Sequence, residues 1–110
     1  MTRTRAYSKY AKEAVKLLGS QIRLARKERR WTEHELAERA GIGRATLQRI
    51  ERGDLACSIG LAFEVASLLD LKLFDADSDT LRLHLAQTDD RIALLPKHVY
   101  PGKKAVDDDF

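Results

Sequence analysis

Apolar residues recur at helical spacing from Ser8 to about Arg29, with basic residues between them, and this periodicity predicts a helix. Gly19 lies inside the stretch and is expected to divide it in two, because glycine lowers helix stability. The apolar positions are Tyr10, Ala14, Leu17, Leu18, Ile22 and Ala25.

Two short helices joined by a tight turn are predicted for residues 32–53. Thr32 followed three positions later by Glu35 is a capping box, and Trp31 before it can pack onto Leu36 as a hydrophobic staple. Gly41 fits the left-handed position that closes the first of these helices, and Ile42 can fold back onto Ala37. The second helix is expected from Arg44 to about Arg52, with Leu47 and Ile50 facing inward and Gly53 as its end.

The remaining periodic stretches predict two more helices. Ser58 is the expected cap of a helix through Leu69, whose many apolar residues indicate burial on more than one side. Residues 71–74 fit a short strand or a frayed helix end. A further helix is expected from Thr80 to Leu95, which residues 88–90 can end or kink, and residues 96–110 are expected to form a flexible tail.

Charge is distributed unevenly between the two halves of the chain. Residues 1–53 contain 14 Lys and Arg against 6 Asp and Glu, a net charge of +8, and residues 54–110 contain 6 against 11, a net charge of −5. A basic half is typical of a protein that binds a polyanion, whereas an acidic half suits solvent or another protein.

Several classes of function lack their sequence signals. The first ten residues are followed by no apolar run, so we expect neither a signal peptide nor a transmembrane segment, and hence a cytoplasmic protein. Cys57 is the single cysteine, and we interpret it as a small residue in a turn rather than a redox sensor. His34, His84 and His98 lack ligand-type neighbours, so no metal, cofactor or catalytic residue is predicted and the protein is not expected to be an enzyme.

The exposed face of the helix that begins at Arg44 suggests DNA binding. Its side chains are hydrogen-bond donors or small groups, which suit guanine, adenine and phosphate: Arg44, Ala45, Thr46, Gln48, Arg49 and Arg52. An ordinary αα-hairpin without a ligand is the alternative, but a face that is merely solvated usually carries some acidic residues.

Three segments, residues 22–27, 31–37 and 47–53, resemble the Cro/C1-type (XRE) family of helix-turn-helix domains. The resemblance extends over residues 20 to about 75. It implies an all-α, five-helix Cro/C1-type domain at 20–76, with an N-terminal helical extension at 1–19, an extra C-terminal helix at 77–95 and a flexible tail at 96–110. It also implies that the second motif helix enters the major groove of double-stranded DNA, usually as a homodimer on a palindromic operator.

The resemblance also assigns roles to individual residues. Arg44, Ala45, Thr46 and Arg49 correspond to base-reading positions, with Gln48 beside them, and Glu33 occupies a phosphate-contacting position where the family usually has glutamine. Arg26 and Glu51 correspond to an internal ion pair between the first helix and the recognition helix. The candidate DNA-binding set is Thr32, Glu33, Gly43, Arg44, Ala45, Thr46, Gln48, Arg49 and Arg52.

The tail resembles, more softly, that of HipB-type antitoxins, which combine an XRE domain with a further helix. Its end, Asp107, Asp108, Asp109 and Phe110, offers an apolar residue with a carboxylate as a plug for a partner's pocket. This resemblance implies an antitoxin that neutralises a HipA-like kinase toxin and represses the shared operon. A stand-alone transcriptional regulator, a protein that acts chiefly as an inhibitor of a partner, and a tail that only solubilises the chain remain the alternatives.

Overall fold

The computed structural model describes residues 5–98, which form five α-helices and no strand. The predicted all-α class is confirmed. Within the described residues, one compact unit ends at Leu73 and a second begins at Phe74. The elements are α1 (Lys9–Glu28), α2 (Glu33–Ala40), α3 (Arg44–Glu51), α4 (Ile59–Leu68), a 3₁₀ turn (Leu73–Asp75) and α5 (Ser78–Ala93).

The helix α1 is continuous over 20 residues, so the expected break at Gly19 is absent. Its start is fixed by Ser8, whose hydroxyl accepts a hydrogen bond from the Ala11 N–H at 3.1 Å. Close packing against α3 explains why residue 19 is glycine. A Cβ built there would lie 2.5 Å from the Ile50 carbonyl oxygen, so the absent side chain allows α1 to cross closely over the end of α3.

The start of α2 and the turn after it form as the sequence predicts. The Thr32 hydroxyl accepts from the Glu35 N–H at 3.0 Å, and the Glu35 carboxylate accepts from the Thr32 N–H at 2.8 Å. Gly41 adopts a left-handed conformation with φ of 69°. Its N–H donates to Glu38 and the Ile42 N–H donates to the carbonyl of Ala37, which is the Schellman arrangement.

The same closure ends three other helices. Gly53, with φ of 75°, follows α3, whereas Arg30 and Asp70 take left-handed conformations after α1 and α4 without being glycines. In each case the following residue donates its N–H back to the last turn. These sharp ends let four helices pack into fewer than seventy residues.

The core of the first unit lies between α1, α2, α3 and α4. Four large side chains are almost completely buried: Ile22, Leu36, Leu47 and Val65. Each comes from a different helix, and Ala37, Ala62 and Ala66 fill the narrow spaces between them. The helix α4 thus closes the core, as its apolar sequence predicts. The alternatives of a strand or a frayed helix end for residues 71–74 give way to the 3₁₀ turn at Leu73–Asp75.

In the second unit, Asp77 caps α5 by accepting a hydrogen bond from the Thr80 N–H at 2.8 Å. The helix runs through residues 88–90 to Ala93, so the expected end or kink there is absent. Instead the Thr88 hydroxyl donates to the His84 carbonyl, one turn back. Every residue from Arg82 to His98 is exposed. Most of the predicted tail, residues 99–110, lies outside the described residues.

Candidate nucleic-acid interface

The helix α3 divides cleanly into a buried and an exposed side. Leu47, Ile50 and Glu51 are buried against the other helices. The candidate base-reading side holds Arg44, Ala45, Arg49 and Arg52 exposed, with Thr46 and Gln48 half-buried at its edge. A short helix with donors along one accessible side matches the requirements of a helix that enters the major groove.

A buried ion pair fixes α3 to α1. Arg26 donates from Nε and Nη2 to the two carboxylate oxygens of Glu51, at 2.7 and 3.0 Å. Its remaining amino group, Nη1, donates to the Trp31 carbonyl at 3.0 Å. The hydrogen bond with Glu51 raises the pKa of Arg26 above its ordinary value. This planar two-bond contact sets the rotation of α3, and hence which side chains face outward.

Glu33, at the start of α2, joins two candidate DNA-binding side chains of α3. Its carboxylate accepts from the Gln48 amide at 3.0 Å and from the Arg44 Nε at 3.4 Å. The hydrogen bond from Gln48, followed by that from Arg44, lowers the pKa of Glu33. The carboxylate of Glu33 therefore orients two hydrogen-bond donors of α3.

Asp54, directly after the turn that ends α3, orients Arg49 in a similar way. The Asp54 carboxylate accepts from the Arg49 Nε at 2.9 Å and from the Ala56 N–H at 2.8 Å. These hydrogen bonds, the one from Arg49 foremost, lower the pKa of Asp54. Within the described part of the chain, both Arg44 and Arg49 make side-chain hydrogen bonds through Nε alone, which leaves their terminal amino groups to contact a ligand.

A cleft of about 550 Å³ adjoins the base-reading side of α3. Lys16, Ser20 and Arg23 line it from α1 at spacings of four and three residues, and Arg52 contributes a third cation from the end of α3. Glu33, Gln48 and Glu51 complete the lining. The carboxylate of Glu51 is paired with Arg26, and that of Glu33 accepts hydrogen bonds from Gln48 and Arg44. The three cations outnumber these two acids, so the cleft is a candidate site for a backbone phosphate.

The other candidate residues occupy supporting positions. The Thr32 hydroxyl is held in the cap of α2, while Gly43 is exposed and forms the cap of α3 without a side-chain hydrogen bond. Asp107, Asp108, Asp109 and Phe110, the candidate partner-binding residues, lie outside the described residues.

Asp54, Lys16, Ser20 and Arg23 are functional candidates that the sequence reasoning missed. The spacing of the last three on one face of α1 is a signal that was present in the sequence. Its meaning depends on the approach of α1 to α3 at Gly19, which only the fold supplies.

Trp31 serves the fold rather than the exposed face. Its ring is partly buried against the core, and the guanidinium of Arg39 lies 4.2 Å from the ring centroid. Arg29 lies 5.6 Å from the same centroid and donates to the Leu69 carbonyl and to Asp70, which connects α1 to the end of α4. Burial raises the pKa of the Cys57 thiol, which agrees with its interpretation as a structural residue.

The described residues offer neither a cluster of metal ligands nor a helix that could span a membrane. Among residues 5–98, no three His, Cys, Asp or Glu side chains cluster in a way that could hold a metal ion. None of the helices in this described part is both long and apolar enough to cross a membrane.

Comparison with known proteins agrees with the motif. A family model described as "Helix-turn-helix" matches residues 22–75, just under half of the chain. The match spans α2, α3 and α4 together with the second part of α1, and it supports the Cro/C1 type of domain and a DNA-binding transcription regulator. No curated protein and no solved structure shows a significant match to the chain.

Proposed function

From the helix-turn-helix match over residues 22–75, we propose that the protein is a sequence-specific transcriptional repressor whose helix α3 reads the major groove. The observation that carries this proposal is the exposure and orientation of the Arg44 and Arg49 side chains. Both are exposed, both are oriented through Nε by an acid, and both keep the terminal amino groups that bind guanine O6 and N7. Thr46, Gln48 and Ala45 complete the reading surface.

The cleft beside α3 suits the DNA backbone. Lys16, Arg23 and Arg52 supply three cations, and the net charge of +8 in residues 1–53 gives this half of the chain a general attraction for DNA. The remaining candidate residues lie at the starts of two helices: Thr32 and Glu33 at α2, and Gly43 at α3. When α3 lies in the major groove, these helix starts approach the DNA strand whose backbone the cleft contacts. Glu33 then acts mainly by orienting its neighbours, because its charge repels phosphate.

The proposal includes a cytoplasmic homodimer on a palindromic operator, with residues 20–76 as the DNA-binding domain. Two copies related by a two-fold axis double the contact area and explain how an α3 of only eight residues reaches useful specificity. Residues 1–19, 77–95 and 96–110 are then an N-terminal extension, a further helix and a tail.

Binding to the DNA upstream of the protein's own gene tests the function. Arg44→Ala and Arg49→Ala are each expected to cost about 1–3 kcal/mol in binding and to relax specificity. Lys72→Ala, which removes an exposed cation outside α3 and the cleft, is the matched control and should bind like wild type. The measurement is a mobility shift over a salt series with a scrambled duplex alongside. Wild-type affinity in both arginine variants would refute the assignment of these readers.

An antitoxin function is a second candidate, which rests on the acidic tail that ends in Phe110. If the tail plugs a pocket of a HipA-like kinase toxin, deletion of the last eight residues should leave operator binding nearly intact and weaken the complex with the toxin. Equal affinity of the full-length and the truncated protein for the toxin would show that the tail has no part in the complex.

A further inference from the structure

The helix α5 exposes large apolar side chains that nothing in the described part of its own unit covers. Leu83, Leu85 and Ile92 of α5 are between 55% and 62% exposed, and Leu94 and Leu95, directly after the helix, are 86% and 66% exposed. A lone helix of 16 residues is only marginally stable in water, because its stability normally comes from packing of an apolar face. This helix therefore has the properties of one half of an interface.

The apolar residues of α5 include a seam with the spacing of a coiled coil. The half-buried Leu81 and the exposed Leu85, Thr88 and Ile92 follow one another at steps of four, three and four residues. At 100° per residue these positions fall within a strip about 60° wide. Leu83 lies on the opposite side of the helix, so it provides an internal comparison.

Charges beside the seam indicate the occupant. Arg82 and Asp89 lie on the same flank, seven residues apart. If a second α5 packs antiparallel with Leu81 against the partner's Ile92, then Arg82 faces the partner's Asp89, and the two-fold axis repeats this pair. In a parallel arrangement Arg82 and Asp89 cannot meet across the seam, and the two helix dipoles would also repel.

We propose that α5 is a self-association surface on which a second copy of this chain packs antiparallel through Leu81, Leu85, Thr88 and Ile92. The surface lies outside the matched residues 22–75 and does not depend on DNA binding. It supplies the second copy that a two-fold operator requires.

The first test compares two equally exposed leucines in the full-length protein without DNA. Leu85→Asp should weaken dimerisation by at least about 100-fold, because it introduces two charges into the seam. Leu83→Asp introduces the same charge on the opposite side and should stay within about threefold of wild type. Sedimentation equilibrium measures the dimer dissociation constant, and circular dichroism verifies that helix content is equal in both variants.

The second test establishes the direction of the helices. Asp89→Arg places arginine against the partner's Arg82 and should weaken the dimer about tenfold, which corresponds to about 1.4 kcal/mol. Arg82→Asp should do the same, although it also removes the ion pair of Arg82 with Asp79 on its own helix. The combined variant Arg82→Asp, Asp89→Arg should restore most of the affinity, because only an antiparallel pair of copies juxtaposes the two positions.

Three outcomes would overturn the proposal: a wild-type protein that remains monomeric at about 100 μM, equal dimerisation of the Leu85→Asp and Leu83→Asp variants, or no recovery in the double variant. A monomeric wild-type protein would mean that the seam binds a different protein. Equal dimerisation of the two leucine variants would mean that the dimer contact lies on another surface. None of these measurements involves DNA, so they are independent of whether α3 reads an operator.

Discussion

Gly19 lies where α1 crosses the end of α3, and two carbonyl oxygens occupy the space that a side chain would need. A Cβ would lie 2.5 Å from the Ile50 oxygen and 2.8 Å from the Glu51 oxygen. Both atoms belong to backbone, so they can move only if the helices move. The crossing also brings Lys16 and Arg23 beside Arg52, so one missing methyl group shapes the candidate phosphate cleft.

Gly19→Ala should therefore destabilise the protein by about 2–3 kcal/mol, because the helices must separate to admit the methyl group. Gly60→Ala is the matched control. Gly60 is also a helical glycine, but its nearest contact is 3.8 Å away, so alanine should add up to about 1 kcal/mol of stability through helix propensity. Urea unfolding of the two variants measures the difference, and equal stability of both would contradict the close crossing.

At the scale of elements, the position of α3 depends on groups that lie on other helices. Arg26 of α1 pairs with Glu51, whose side chain is 4% exposed, and Glu33 of α2 binds Gln48 on the outward side. The buried pair fixes the rotation of the helix, and the outer hydrogen bonds orient its donors. The reading surface is thus a property of three packed helices, although its residues come from one.

Removal of one partner of the buried pair should lower the free energy of unfolding more than removal of both partners. Glu51→Gln leaves the Arg26 charge buried without its partner, so the expected loss is about 3–5 kcal/mol in the free energy of unfolding. The variant Arg26→Met, Glu51→Leu removes both charges and should be more stable than the single variant. Urea unfolding of the double variant and of its two component single variants, Arg26→Met and Glu51→Leu, completes the cycle. Additive losses in the double variant would show that the two side chains do not act as a pair.

At the scale of the whole molecule, the positive charge of residues 1–53 coincides with the helix-turn-helix and the cleft, while residues 54–110 are net negative. The general attraction for DNA that we propose therefore originates in residues 1–53. The proposed α5 seam lies outside this basic half of the chain.

The salt dependence of operator binding reports how many cations meet phosphates. Arg23→Ala and Arg52→Ala should each reduce the slope of log K against log salt concentration by about 1 and weaken operator and scrambled DNA alike. Lys72→Ala should leave the slope unchanged. A slope that stays at the wild-type value in both arginine variants would remove the cleft from the DNA contact.

The sequence by itself determined where α2 begins and ends, because these signals depend on residues within one turn of each other. Thr32 and Glu35 form their capping box across three positions, and Gly41 closes α2 because few other residues take a left-handed conformation at low cost. The Arg26 to Glu51 pair came from family resemblance rather than from local pattern. Apolar periodicity predicted the helical stretches, and the resemblance to the Cro/C1-type family implied the all-α class.

Only the tertiary structure decided what the side chains meet across helices. Glu33 reaches Gln48 over fifteen positions because α2 packs against α3, and Lys16 joins Arg52 in one cleft because α1 crosses closely over α3. No local signal encodes either packing. The continuity of α1 through Gly19 was misjudged for the same reason. Local propensity counts glycine as a helix breaker, whereas packing against the Ile50 and Glu51 carbonyls requires it.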